Sequence, residues 1–405
     1  MRIHGKPLID IKLEDAIRIG MAIGRSAGAR NLVISGRDHT RVSRMLKRAI
    51  TAGLMSTGAD VMDFHESTVG EISYAIKRFG ARVGFMVSVD PSSGGVVVRV
   101  YSAPGYELIG GALKSLLDLK VDKFAEPQDV GWIYYAEYMH RLYSSSISSF
   151  IRSDILSTKK LNAIAGPDVE PLGTILYELS NSIGLNQTII GGVNVLKHPS
   201  IDLMNRVGKV VDALSADLGV IFSHDGSQLS IYNSRLGYLS PEEQILLISA
   251  KYSSPRIIAL GPLLRSYMNN LEKYGYDILI VDNEEKLQEL TKRERPTLSS
   301  TWRGEFITPL FSLGYDAVIQ YAQILELTAD FGSRILDEIN SLREGLSIEN
   351  IDFELGMRVC YEKPERVAIW GCRVLDENKV TLLIYNPRTD GFIKITDKAA
   401  EINVK

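Results

Sequence analysis

The 405-residue chain is 45% hydrophobic and 23% charged, an ordinary globular composition too long for a single core, so about three or four domains are expected. Its net charge of −3 supplies no global positive field for nucleic acid, and its two cysteines, Cys360 and Cys372, lack the spacing of a zinc or redox site. No apolar run is long enough to span a bilayer, and the first residues have no apolar core of a secretory leader, so a cytoplasmic protein without membrane or nucleic-acid partners is expected.

Apolar residues recur at helical spacing over 13–28, at Leu13, Ala16, Ile17, Ile19, Ala22 and Ile23. Residues 31–35 form a β run that ends in the polar turn Gly36-Arg37-Asp38. A helix is predicted over about 43–56, with Gly58 beyond it as a stop signal. A strand (60–64), a helix (71–79), a strand (82–88), a turn and a further strand (95–101) follow. Residues 144–149 are serine-rich and read as a linker or a helix entry.

The same alternation returns twice, more loosely. Residues 160–166 are a strand and turn before a helix at Leu172–Ile183, and Leu218–Phe222 reads as a buried strand running into a polar loop. Residues 255–261 lead into a helix ending near Tyr274 and then the strand Asp277–Val281. The run Lys292-Arg293-Glu294-Arg295 reads as a solvated helix face. From about residue 346 the pattern changes, with strand-like 366–370 and 380–385. Strands alternating with helices argue for layered α/β units. Three similar ones are expected over 1–130, 131–239 and 240–345, with a small α+β unit over 346–405.

The segment Ala216-Asp217-Leu218-Gly219-Val220-Ile221-Phe222-Ser223-His224-Asp225-Gly226-Ser227-Gln228-Leu229 carries the most information. It resembles the metal-binding segment A-D-L-G-x-A-x-D-G-D-x-D-R of the α-D-phosphohexomutases, the phosphoglucomutase and phosphomannomutase family. The frame is kept, but of three metal-holding aspartates only Asp225 stands; Ser223 and Ser227 replace the others, and Gln228 replaces the arginine. The resemblance covers most of the chain, most strongly 31–105 and 216–247. It implies a multi-domain α/β fold, three similar α/β domains and a small C-terminal α+β domain around a central cleft, each contributing one loop.

On that resemblance, Met86-Val87-Ser88-Val89-Asp90-Pro91 matches the serine loop T-A-S-H-N-P, which puts Ser88 at the phosphoserine position. Gly36-Arg37-Asp38-His39-Thr40-Arg41-Val42-Ser43 resembles the G-R-D-x-R-x-S segment. A serine hydroxyl relays a phosphoryl group only where neighbouring charge is neutralised; read without the resemblance, Ser88 is a polar residue at a strand end. The sugar loop G-E-x-S-G-H falls on residues 300–306, where Gly304 alone matches and Thr301, Arg303 and Glu305 are the candidate ligands; Trp302 offers a ring face or packs between domains. The phosphate loop R-P-S-G-T-E-P falls on residues 385–391, where Arg388 and Thr389 are candidates. N-P and D-G in that stretch signal a hairpin turn equally well. The lysine of the family's N-G-x-K falls at about Val97, and of its early R-G pair only His4-Gly5 remains.

Exchanging two carboxylates for hydroxyls removes two negative charges from a magnesium site, so no metal, or weakly bound magnesium, is expected. A rewired site would draw on Ser88, Asp90, His224 and Asp225. The expected function is a phosphohexomutase-like protein lacking normal mutase turnover, which binds a sugar phosphate or other small anion or regulates. The alternative is an active phosphosugar mutase that transfers phosphoryl through Ser88 with an altered metal site.

Overall fold

The computed structural model describes the chain except residues 1, 91–92, 120–123, 192–200, 261–274, 302, 332–336, 338, 340–371, 377–378, 387–390, 397–398 and 404–405. Apolar β runs bounded by helices pair as the alternation predicts, and the described strands form four sheets. The first has the order β1 (Ile3–Gly5), β5 (Val96–Ser102), β4 (Val83–Val89), β2 (Leu32–Arg37), β3 (Asp60–Glu66), β7 (Ile133–Tyr135), with β6 (Tyr106–Leu108) pairing β5. Its centre, β4-β2-β3-β7, is parallel, and β5 turns antiparallel beside β4. The second runs β12 (Gly237–Leu239), β11 (Leu229–Asn233), β10 (Leu218–Phe222), β8 (Asn162–Gly166), β9 (Asn186–Ile189). The third runs β14 (Asp277–Val281), β13 (Arg256–Leu260), β15 (Leu298–Thr301), β16 (Phe306–Ile307). Both repeat the plan of a parallel core with an antiparallel edge. The fourth is an antiparallel meander of β17 (Cys372–Asp376), β18 (Lys379–Asn386), β19 (Gly391–Thr396) and β20 (Ala399–Asn403).

Helices α1 (Leu13–Ala27), α2 (Arg41–Met55) and α4 (Gly110–Leu117) cover one face of the first sheet. The other face meets α3 (Val69–Phe79), and from there a single apolar core runs on through α5 (Met139–Phe150), α6 (Ser153–Lys159) and α7 (Leu172–Ile183). It also takes in α9 (Pro241–Ser249) and α11 (Ala317–Phe331). Helix α8 (Ile201–Ala213) packs on the second sheet and α10 (Glu284–Glu294) on the third. Helix α11 is buried on every side over 317–327. Its polar side chains therefore need partners: Gln320 donates to Gln244 at 2.6 Å and Tyr321 to Gln187 at 2.7 Å, and Gln323 accepts from Thr308 at 3.0 Å. No helix of the described residues is long and apolar enough to cross a membrane.

The serine-rich 144–149 lies inside α5 and is not a linker. Its hydroxyls donate back one turn, Ser146 to Leu142 O at 2.8 Å and Ser149 to Ser145 O at 2.9 Å, which satisfies them without breaking the helix. The predicted helix ending near Tyr274 and the strand at 366–370 lie outside the described residues.

Helices α1 and α2 cross so closely that a Cβ on Gly20 would sit 1.9 Å from Ile50 O, and one on Gly53 would sit 2.1 Å from Ile17 O. Helix propensity alone would make Gly20→Ala stabilising by about 1 kcal/mol. The backbone contact reverses that sign, and a net loss of about 2 kcal/mol is expected. Chemical denaturation checks it; a raised midpoint would show that the helices separate at little cost.

Candidate active site

Strand β10 is buried throughout and delivers Ser223 to the junction of the first three sheets. The following loop turns back on itself, with Gly226 N donating to Ser223 O at 2.9 Å and Ser223 N to Gln228 O at 2.9 Å. Two helix N-termini hold it from outside. Val69 N of α3 donates to Asp225 O and Ala317 N of α11 donates to Gly226 O, each at 2.9 Å. Gly226, at φ +70°, is needed there, since a Cβ would meet Thr68 at 2.8 Å.

Asp225 is 5% exposed and both its oxygens are engaged. Oδ1 accepts from Ser223 Oγ and Ser227 Oγ at 2.8 Å each and from Ser227 N at 3.1 Å, while Oδ2 accepts from Arg99 Nη2 at 3.1 Å. Burial alone would raise its pKa; the Arg99 charge, then that of His224 and the two hydroxyls, outweigh it and hold the carboxyl well below the usual range. Arg99 is itself buried on β5. Burial and the charge of Arg2 disfavour its guanidinium, and Glu107 and Asp225 outweigh both.

The contacts continue beyond Arg99, whose Nη1 lies 3.6 Å from Glu107 Oε2. Arg2 grips Glu107 with two bonds, at 2.6 and 3.0 Å, and reaches Glu284 Oε2 at 2.9 Å. Tyr315 closes the end by donating to Glu284 at 2.9 Å. Arg99 is the residue that sequence reasoning missed. Its signal was a lone charge in the otherwise apolar run Val96-Val97-Val98-Arg99-Val100, which a buried strand tolerates only with a partner.

These residues do not fit magnesium. Where a metal loop would present three carboxylates, Ser223 and Ser227 act as donors to Asp225, and a fixed cation sits on the one carboxylate that remains. Among the described residues no group of three or more His, Cys, Asp or Glu side chains could hold a metal. Of Ser88, Asp90, His224 and Asp225, His224 is adjacent to Asp225 in the loop and lies against Val89, the neighbour of Ser88, while Asp90 bonds Ser93. His224 turns to Asp38, with Nε2 3.5 Å from Oδ2, an ion-pair contact rather than a hydrogen bond. Burial disfavours its charged form, but the contact with Asp38 and the charges of Asp225 and Asp38 raise its pKa overall. Asp38 is further held by Thr40 N, Thr40 Oγ1 and Val89 N at 2.9, 2.6 and 2.6 Å. Asp90 faces away, accepting from Ser93 Oγ at 2.7 Å with His4 Nε2 at 3.3 Å.

Ser88 sits near the end of β4, paired with Val97, and is 2% exposed. The neighbouring pair in that register is Met86 with Arg99, so Ser88 and Arg99 share a face of the sheet. In the sugar-loop segment, Thr301 Oγ1 donates to Glu305 Oε2 at 2.9 Å and accepts from Arg303 N at 3.3 Å. Gln228 Nε2 donates to Arg303 O at 2.5 Å, which ties this loop to the Asp225 loop. The side chains of Arg41 and Arg303 are exposed. Arg388 and Thr389 lie outside the described residues, between the paired ends Asn386 and Gly391 of β18 and β19.

A family model described as phosphoglucomutase/phosphomannomutase, alpha/beta/alpha domain I, matches residues 3–108. The phosphoglucosamine mutase of Maricaulis maris is 23% identical over 377 residues, covering 88% of this chain and 84% of that protein. The phosphoglucosamine mutase of Bacillus mycoides is 28% identical over 235 residues, a match that spans about half of each protein, 54% and 50%. A phosphoglucomutase/phosphomannomutase family protein of Burkholderia thailandensis has a similar structure, with a TM-score of 0.71 at 17% identity, covering 100% of this chain and 92% of that one. Parafusin, a phosphoglucomutase of Paramecium, gives 0.66 at 10% identity, covering 95% and 82%. The structural likenesses establish the fold.

Removing the Arg99 charge would strand the buried Asp225 carboxylate and leave Glu107 with Arg2 alone. Arg99→Met is expected to cost about 3–5 kcal/mol, and adding Asp225→Asn should recover part of that loss; an unchanged denaturation midpoint for the single variant would contradict the ion-pair account. Asp316, at the start of α11, gives a pH dependence. Burial pushes its carboxyl up to about 7, against the bonds it accepts from Tyr143 Oη, Ile319 N and Val318 N. A raised carboxyl favours the folded state below its unfolded pKa of about 4, and that contribution is lost as pH rises towards 7. Thermal midpoints measured from pH 4 to 8 should therefore show a decline that Asp316→Asn flattens.

Proposed function

We propose that this chain, which belongs to the α-D-phosphohexomutase superfamily, keeps the fold of the mutases without their phosphoryl relay and serves as a sugar-phosphate-binding or regulatory protein. One observation carries the reading: the Arg99 guanidinium rests on Asp225, whose other oxygen is taken by Ser223 and Ser227. Phosphoryl transfer is mainly positioning and charge neutralisation. A serine relay of this kind needs a metal against the phosphoserine, ligands for the sugar hydroxyls and a clamp for the second phosphate. Here the remaining carboxylate is neutralised internally, Ser88 is closed off from solvent, and Thr301 and Glu305 satisfy one another.

The side chains of Arg41 and Arg303 are exposed. These suit the phosphate of a small sugar ester, and the names of the matched relatives make hexosamine and hexose phosphates the first ligands to try. Retention of such a ligand without turnover is the activity proposed.

Purified protein, given glucosamine 1-phosphate, glucose 1-phosphate or mannose 1-phosphate with magnesium and the matching 1,6-bisphosphate, is expected to show no mutase activity above a Ser88→Ala control. Turnover that disappears in Ser88→Ala would sink the reading.

A further inference from the structure

Away from the Asp225 loop, a cavity of about 250 Å³ opens beneath α2, at the ends of β3 and β7. In the sheet order β4-β2-β3-β7 it lies on the opposite side of β2 from the strand that carries Ser88. Arg37, Arg44, Lys47 and Arg48 line it, and Asp63 is its carboxylate. Two of those cations are neutralised by the protein. Arg37 pairs with Glu66 at 2.5 Å and donates to Asp38 O, and Lys47 pairs with Asp63. Arg44 and Arg48 remain, exposed and one helical turn apart, with no ion-pair partner among the described residues. Like charges at this spacing repel. Arg44 also closes the first turn of a helix whose opening turn has no acidic residue, the end at which the backbone dipole favours anions. A bound anion would reverse both penalties.

The opposite wall is aromatic. His65 and Tyr135 stack with ring centroids 5.2 Å apart and planes 7° from parallel. His65 holds a φ of +59°, a conformation that is strained for a non-glycine residue. Its backbone N–H is pinned to Asp63 Oδ1 at 2.7 Å. Tyr135 is 59% exposed and leaves ring surface open beside the arginines.

We propose that this cavity is a binding site for a nucleotide-class anion, with phosphate groups held by Arg44 and Arg48 and the flat base laid against the Tyr135–His65 stack. Paired guanidiniums suit phosphate oxygens, and an aromatic face takes a base without reading its identity. The site is separate from Ser88, so it stands whether or not Ser88 relays a phosphoryl group.

Calorimetric titration of the full-length protein with ATP, pyrophosphate and glucose 1-phosphate tests it. ATP is expected to bind more tightly than either of the others. Arg44→Gln with Arg48→Gln should weaken ATP by at least about tenfold, and Tyr135→Ala should weaken ATP by about tenfold while leaving pyrophosphate unchanged. All three side chains are exposed, and a thermal midpoint equal to that of the unaltered protein confirms that the variants fold. Three outcomes overturn the proposal: no ATP binding, ATP binding unchanged by the arginine variant, or pyrophosphate matching ATP with no effect of Tyr135→Ala.

Discussion

A line of alternating charges, Asp225–Arg99–Glu107–Arg2–Glu284, buried at its first three members and half-buried at the last two, connects the first three sheets. Each interior member has an opposite charge on both sides, which is the arrangement that makes burial of several ions tolerable. Asp225 belongs to the loop after β10, Arg99 and Glu107 to the first sheet, and Glu284 to the helix on the third. Loss of one member leaves two neighbours exposed to an uncompensated field, so the line couples the relative placement of the sheets to the identity of a few side chains. The loop carrying Asp225 inherits its position from this coupling as well as from the backbone bonds of Val69 and Ala317.

The same line explains why the loop has its present chemistry. Three carboxylates in a dry site require a divalent cation, and a single one requires only a monovalent cation. Arg99 supplies that charge covalently, at 3.1 Å and without a loading step. Once it is present, a second or third carboxylate at 223 or 227 would be in excess, and hydroxyls that donate to Asp225 are the residues that fit. Serines at both positions and an arginine on β5 therefore fit one another around a single carboxylate. His224 lies beside it against Asp38, 3.5 Å apart.

Much of this fold was legible in the sequence because it rests on local periodicity. The helix at Leu172–Ile183 and the strands at Leu218–Phe222 and Asp277–Val281 have the predicted bounds, and the elements predicted between residues 13 and 101 shift by at most two residues. The serines of α5 misled because their composition resembles a linker, while their hydroxyls are absorbed within the helix. That serines stand at 223 and 227 is plain from residue identity. The cation that meets Asp225 could not be read that way, since Arg99 lies 126 positions from Asp225 and nothing local marks the pairing. Likewise the polar composition of 223–227 suggests a solvated loop, and only the approach of α3 and α11 buries it.

Charge that is satisfied internally is unavailable to a ligand, and this separates the two basic regions of the molecule. Arg99 and His224 are both committed to carboxylates at the junction. Beneath α2, Arg37 of β2 and Lys47 are committed in the same way, while Arg44 and Arg48 meet no carboxylate among the described residues. Conserving an ion pair costs nothing in binding specificity, whereas leaving two adjacent guanidiniums exposed on a helix lowers stability with no structural return. The energetic asymmetry thus assigns the junction to holding the fold together and the face of α2 to meeting an anion from solution.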